Sequence, residues 1–343
     1  MQRIEGLPII LVFVALLALF MYTAPQVFLA PFIYTTFLST LPPLILLAIG
    51  LTFVIGAGEI DLSFPSVIAF SGFVFAVLFK EHDLGWIAVV AALASGLLVG
   101  LVNGILIAKV GVPSFMATLA TQFFWAGMAT VLSGGMSYAL RGVDQSSVWQ
   151  MIVGRPLAGM GGPIWLGQIP LQAFWTLLIL VFLWFVLNRH RFGEHTLFIG
   201  DSNAVSRVVG IDVDREKIKI FTLMGLLAAT AAIMLTLENK NYFGNQGQGY
   251  LLTAIASVLI GGTSIFGGKA TIVGTVFGCF IIGMIEAGLV ATGLTGAWVR
   301  TIQGLVFMVA IVFYLYVDEP QKRRAFLARF AWNREFGRAG SAG

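Results

Sequence analysis

Ten apolar runs partition this chain, most of them about as long as a helix must be to cross a bilayer, and no other feature limits the fold so tightly. They are Leu7–Ala24, Phe32–Ile55, Phe64–Phe79, Gly85–Ala108, Ser114–Leu132, Leu171–Leu187, Ile218–Leu237, Tyr250–Gly262, Ile272–Gly293 and Trp298–Val317. A helix rises about 1.5 Å per residue, so roughly 20 apolar residues span a hydrocarbon core about 30 Å thick. Backbone polar groups find no water there, which leaves helices or closed barrel strands. The runs are continuous rather than alternating, and that excludes a barrel. A mean hydropathy of +0.94 with 10% charged residues agrees, being far from a soluble domain's composition. The expected fold is all-α, a polytopic membrane helical bundle of about ten transmembrane segments, some short or broken. Arg3 precedes the first run as in a signal peptide, but the run is long and Thr23-Ala24-Pro25 is a poor cleavage context, so it is expected to be retained.

Charge placement orients the bundle. With ten crossings and the N-terminus inside, 15 of the 20 Lys and Arg fall on the cytoplasmic side, leaving Lys80, Arg141, Arg155, Lys240 and Arg300 outside. Tyr250–Gly262 is short enough to be re-entrant, but removing it as a crossing would move Lys269 and the basic tail outside, against the positive-inside rule. The expected organisation is one transmembrane unit over 1–343, with the bundle at 7–317, a cytoplasmic loop at 189–217 and a basic cytoplasmic tail at 318–343. Segment Ser133–Pro170 falls outside, and neither side carries a large soluble domain. The pI of 9.3 reflects this topology, so no nucleic-acid partner is expected. Cys279 is the single cysteine and reads as a packing residue; His82, His190 and His195 lack metal-ligand spacing, so no metal is expected.

The stretch FIGDSNAVSRVVGIDVDREK, Phe198 to Lys217, is polar between two apolar runs. Asp201-Ser202-Asn203 supplies cap residues and Gly210 a stop, while Val205, Val208 and Val209 fall on one stripe with Ser206 and Arg207 off it. A helix this short is unstable alone and must dock, either on its own bundle or on a cytoplasmic partner. No nucleotide site is present to power a membrane machine. In GGTSIFGGKAT, Gly261 to Thr271, Thr263 stands where a P-loop has its first glycine and Ala270 replaces the hydroxyl that would hold magnesium.

Four ordered motifs now bear on identity. GEIDLSFPSVIAFSG (Gly58–Gly72), VPSFMATLATQFFWAGMATVLSGG (Val112–Gly135), IGDSNAVSRVVGIDV (Ile199–Val213) and IGGTSIFGGKATIVGTVFG (Ile260–Gly278) together resemble the membrane permease of bacterial ATP-binding-cassette importers for ribose and related simple sugars. The likeness runs from about Leu41 to Asp318. Glu59 and Phe64-Pro65 depart from the family's usual Gly and Val-Gly, and Lys269 stands where Arg is common. The resemblance implies that Asn203, Ala204, Val205, Ser206, Arg207, Val208, Val209 and Gly210 couple the chain to a separate cytoplasmic ATPase, which binds the ATP and magnesium. It also implies a periplasmic solute-binding protein, a second permease copy or a paralogue, no covalent catalysis and no cofactor in this chain, and an inner-membrane location; the charge placement puts both termini in the cytoplasm.

Polar side chains within the apolar runs point to a route for solute. Thr118, Thr121, Gln122 and Trp125 share one face of the fifth run; they suit a neutral sugar or polyol and suit helix–helix hydrogen bonding equally. Glu286 is the most conspicuous, since an acid at mid-membrane costs about 2.5–3.5 kcal/mol on insertion scales. It fits a path-lining role, a pair with Arg300, or a protonated structural role. Glu59 and Asp61 sit near a segment end, where solvation at the cytoplasmic mouth is the cheaper expectation, with Asp61 to Ser66 also suited to a turn or cap. Gly96, Gly100 and Gly104, like Gly274 and Gly278, should form smooth faces for close helix contact. The expected function is therefore the permease subunit of an ATP-driven importer of a small neutral sugar or polyol. A proton-coupled secondary transporter using Glu286 is the alternative, and a membrane scaffold or receptor without transport a third class.

Overall fold

The computed structural model describes residues 7–81, 84–158 and 164–291, together with 293, 298, 301, 302, 304, 305 and 308. Thirteen helices follow one another among them: α1 (Leu7–Thr23), α2 (Pro25–Phe28), α3 (Pro31–Gly56), α4 (Phe64–Glu81), α5 (Gly85–Ala108), α6 (Ser114–Ser133), α7 (Ser147–Ile152), α8 (Leu171–Arg189), α9 (Arg191–Asp201), α10 (Asn203–Val208), α11 (Val213–Glu238), α12 (Tyr250–Ile260) and α13 (Ile272–Ala291). Six of them, α3, α5, α6, α8, α11 and α13, are long and apolar enough to cross a membrane; α1, α4 and α12 are shorter apolar helices. Nine of the ten expected runs are thus helices. The tenth, Trp298–Val317, lies mostly outside the described residues.

Centre and periphery are told apart by which faces are apolar. Helix α3 is buried on every side from Leu41 to Gly56, as an all-round apolar helix must be. Helix α8 is apolar too, but its Leu177, Val181, Phe182 and Phe185 are exposed, the pattern of a face turned to lipid. Within α3, Pro43 has no N–H to give the Ser39 carbonyl four residues back. The Gln172 amide of α8 donates to that carbonyl at 2.7 Å, supplying what the helix cannot.

Glycine sets the spacing of the core. A Cβ on Gly100 would stand 2.9 Å from the Thr222 Cα, and one on Gly104 2.7 Å from the Ile218 Cα, while Gly96 faces the Gly225 carbonyl. Rising numbers in α5 thus meet falling numbers in α11, so the two helices run antiparallel with their backbones in contact. The α12–α13 pair repeats the device, with Gly274 against Gly261 and Gly278 against Ser257. Both stripes do what the sequence predicts. Gly100→Ile should lower the thermal midpoint of the detergent-solubilised protein, since overpacking costs about 1–3 kcal/mol. Gly127→Ile, on a face of α6 where a Cβ meets nothing, should change it far less, and equal midpoints for the two variants would remove the packing argument.

At one end of the bundle the loop after α6 is pinned to the end of α11. Strands β1 (Tyr138–Ala139) and β2 (Asn241–Tyr242) pair antiparallel, and Arg155 binds Glu238 at 2.8 Å. Lys240 lies 3.2 Å from Asp144 and holds that carboxyl below the usual carboxylate range.

Candidate coupling surface and solute cavity

At the opposite end, the polar stretch between α8 and α11 folds into two helices rather than the one expected. Helix α9 was not predicted. His190 caps it, its Nδ1 accepting from the Phe192 N–H at 3.1 Å, and Phe192 stacks on Phe53 of α3. Ser202 alone joins α9 to α10, and its hydroxyl caps α10 by accepting from the Val205 N–H at 3.3 Å. Gly210, in the left-handed region, closes α10: Ile211 N–H reaches the Ser206 carbonyl at 3.0 Å and Gly210 N–H the Arg207 carbonyl at 3.2 Å. Both ends of a six-residue helix are therefore satisfied.

The face that α10 buries is Ser206, at 1% exposure, while Val205, Val208 and Val209 stand out at 56%, 86% and 63%. The valine stripe does not lie on the chain's own bundle. Arg207 pairs with Asp214 at the start of α11, and Lys109 reaches the same carboxylate at 3.6 Å, tying α10 down from the side.

The end of α9 wedges between two glycine turns. Gly268 N–H donates to the Gly56 carbonyl at 3.0 Å, joining the α3–α4 turn to the α12–α13 turn. Gly200 sits against both: a Cβ there would stand on the Gly56 carbonyl and 2.5 Å from the Gly268 nitrogen. A Cβ on Gly267 would be 2.8 Å from the Gly200 Cα and 2.9 Å from the Gly58 Cα. Three backbones meet where only hydrogens fit. Lys217 pairs with Glu59 at 2.5 Å, fixing the first turn to α11 as well.

That turn corrects one expectation. Asp61 is not solvated at a mouth; it is 2% exposed, and its carboxylate accepts from the Ser63 N–H at 2.7 Å and the Ser63 hydroxyl at 2.6 Å. Glu59, half-buried, pairs with Lys217. Burial is tolerable because α6 satisfies the turn's backbone. Ile60, Leu62 and Ser66 donate to Ser114, Thr118 and Gln122 at 3.1, 3.1 and 3.3 Å, one helix turn apart on a single stripe. Asn103 donates to the Ser63 hydroxyl at 2.7 Å. The polar atoms of Thr118 and Gln122 thus face the turn, Thr121 donates to the Thr118 carbonyl, and Trp125 packs on Phe70 at 4.7 Å.

Glu286 belongs to a different place. It lines a cavity of about 890 Å³ between α3, α12 and α13, with Thr36, Thr40, Gln248, Tyr250 and Thr253. The structure brings Asp61, Thr118 and Gln122 together and leaves Glu286 apart from them. Thr36 and Thr40 were not expected at a site; their signal in the sequence is a four-residue spacing just ahead of Pro42-Pro43, and Thr253 carries none. Among the described residues no cluster of His, Cys, Asp and Glu could hold a metal ion.

A family model described as the permease component of the branched-chain amino acid transport system matches residues 33–311, which takes in the cavity, both glycine turns, α9 and α10. The ribose import permease protein RbsC of Escherichia coli (strain K12) is 33% identical over 268 residues, 78% of this chain and 80% of that protein. The L-arabinose transport system permease protein AraH of the same strain is 32% identical over 277 residues, 81% of this chain and 80% of its own. The L-arabinose ABC transporter permease protein AraH of Azospirillum brasilense is 29% identical over 324 residues, 94% of this chain and 91% of its own.

Proposed function

The chain belongs to this family of transport-system permease components, and from that premise we propose that it is the membrane subunit of an ATP-driven importer for a small neutral sugar or polyol. Its relatives include a ribose import permease and an L-arabinose ABC transporter permease, which favours this reading over proton coupling at Glu286. The bundle is multi-pass in the inner membrane, with both termini and α10 in the cytoplasm by its charge distribution. Two copies, or this chain and a paralogue, enclose the path. A separate ATPase holds ATP and magnesium, and a periplasmic binding protein brings solute to the other face.

The observation that carries the coupling role is the exposed valine stripe on a helix capped at both ends. An apolar ridge standing in the water phase beside Arg207, Lys109 and Asp214 gains free energy by entering a partner's groove. Residues 203–210 are that ridge. When the ATPases close on nucleotide, α10 is displaced; α9 follows through Ser202, and its Gly200 end pushes on both glycine turns together. Those turns are where α3 meets α4 and where α12 meets α13, so access alternates as they shift.

Reconstitution tests the reading. Proteoliposomes containing this chain, its ATPase and its binding protein should accumulate sugar only with ATP. The chain alone under an imposed proton gradient should accumulate none. Accumulation without the ATPase would overturn the reading in favour of a secondary transporter, and absence of flux in the complete complex in favour of a scaffold.

A further inference from the structure

We propose that the cavity between α3, α12 and α13 is where this subunit receives its solute, and that its wall selects a neutral polyhydroxyl molecule by offering more hydrogen-bond acceptors than donors. The proposal rests on the importer reading and specifies where and how that reading is carried out. About 890 Å³ lies within the range of roughly 300–1,000 Å³ typical of small-molecule sites.

The wall differs from the lipid-facing surfaces of the same molecule. Where α8 is exposed it presents leucine, valine and phenylalanine; the cavity presents Thr36, Thr40, Gln248 and Glu286 exposed and Thr253 half-buried. A carboxylate turned to hydrocarbon would be costly, so this surface is built for a polar occupant.

The hydroxyls are already committed as donors. Thr36 gives its proton to the Phe32 carbonyl at 2.9 Å, Thr40 to the Thr36 carbonyl at 3.0 Å and Thr253 to the Gly249 carbonyl at 3.1 Å. What remains on each oxygen is acceptor capacity, and the Glu286 carboxylate is an acceptor twice over. The Gln248 amide and the Tyr250 hydroxyl add donors to the same wall, so the ligand it suits both gives and accepts hydrogen bonds at several points, as a sugar or polyol does and an anion, which only accepts, does not. Phe37, Leu41 and Leu44, which also line the cavity, suit the C–H faces of a pyranose or furanose.

Position agrees with chemistry. Thr40 precedes Gly56 on α3 by 16 residues, about 24 Å along the helix axis, so the cavity lies toward the end of the bundle away from α10 and its glycine junction. A solute arriving from the periplasmic side meets this cavity first. Two of the helices that wall it are a proline-interrupted one and a short one, the kinds of segment that leave polar groups free at membrane depth, and Gly304 also lines it.

The test uses the complete reconstituted transporter. Cys279 is buried, so Thr40→Cys and Thr253→Cys each introduce a single accessible thiol. A membrane-impermeant thiol reagent added on the binding-protein side should label both. With binding protein present, labelled ribose or arabinose at about four times its apparent Kd should slow that labelling about fivefold. Glu286→Gln should lower kcat/KM for uptake about tenfold, the scale of one charge-assisted hydrogen bond, while ATPase association stays unchanged. Sugar-independent labelling, absence of labelling because lipid fills the cavity, or wild-type uptake by Glu286→Gln would each overturn the proposal while leaving the importer reading standing. If the wild-type complex imports no sugar or polyol at all, the importer reading fails first and this inference falls with it.

Discussion

Val208→Asp is expected to detach the ATPase, lowering its affinity for the membrane subunit at least about 30-fold and ATP-driven uptake with it, while the bundle inserts and folds as before. Val208 is the most exposed of the three valines, at 86%, so the change touches no packing in the chain itself; such surface substitutions shift stability by about ±0.5 kcal/mol. At an apolar interface the same carboxylate would be desolvated without a partner, because neighbours at i±1 do not face each other on a helix and Arg207 is already held by Asp214. Truncating or mismatching one member of a buried charge contact costs about 2–5 kcal/mol, and each 1.4 kcal/mol is tenfold in affinity. Substituting Arg207 would be less informative, since it also breaks the tie to α11. Co-purification of the ATPase with the variant, together with ATP-dependent uptake in proteoliposomes, gives the answer. Wild-type association would take α10 out of the coupling role.

Gly200→Ala should produce the opposite separation: the ATPase stays bound and hydrolyses ATP, but uptake falls at least about tenfold. The added methyl would stand on the Gly56 carbonyl and against the Gly268 nitrogen, prising apart the hydrogen bond between the two turns. Backbone cannot rotate away as a flexible side chain can, so the cost of about 1–3 kcal/mol for overpacking is met by moving α9 off the turns. Hydrolysis and uptake measured on the same proteoliposomes, with the thermal midpoint as a check on folding, distinguish loss of transmission from loss of structure. Tight coupling in a stable Gly200→Ala protein would show that α9 need not touch the turns for transport.

Features resting on local pattern were the ones legible in the sequence. Apolar runs placed nine helices to within a few residues, and the four-residue glycine repeat of α5 named its own contact face. Cap residues likewise marked α10 and its stop. Helix α9 escaped because Gly193 and Gly200 lower its propensity and Arg191, Glu194 and His195 make it look like a loop. Both glycines answer to tertiary contacts instead, Gly193 against the Val186 and Leu187 carbonyls and Gly200 at the junction. Burial of Asp61 was invisible for a similar reason, since the groups that make it tolerable come from α6, some 56 residues away. The cavity threonines look in sequence like any hydroxyl bonded back to its own helix; only the placing of α12 and α13 beside them gives that face an opening.

The bond from Gln172 to the Ser39 carbonyl has a bearing on biogenesis. Its two ends lie 133 residues apart, and at about 5–20 residues per second the ribosome needs roughly 7–27 seconds to make the second after the first. For that interval α3 carries a carbonyl, freed by Pro43, that hydrocarbon cannot serve. A nascent α3 would therefore be better served where water or protein can reach that carbonyl, until α8 emerges and Gln172 takes over the bond.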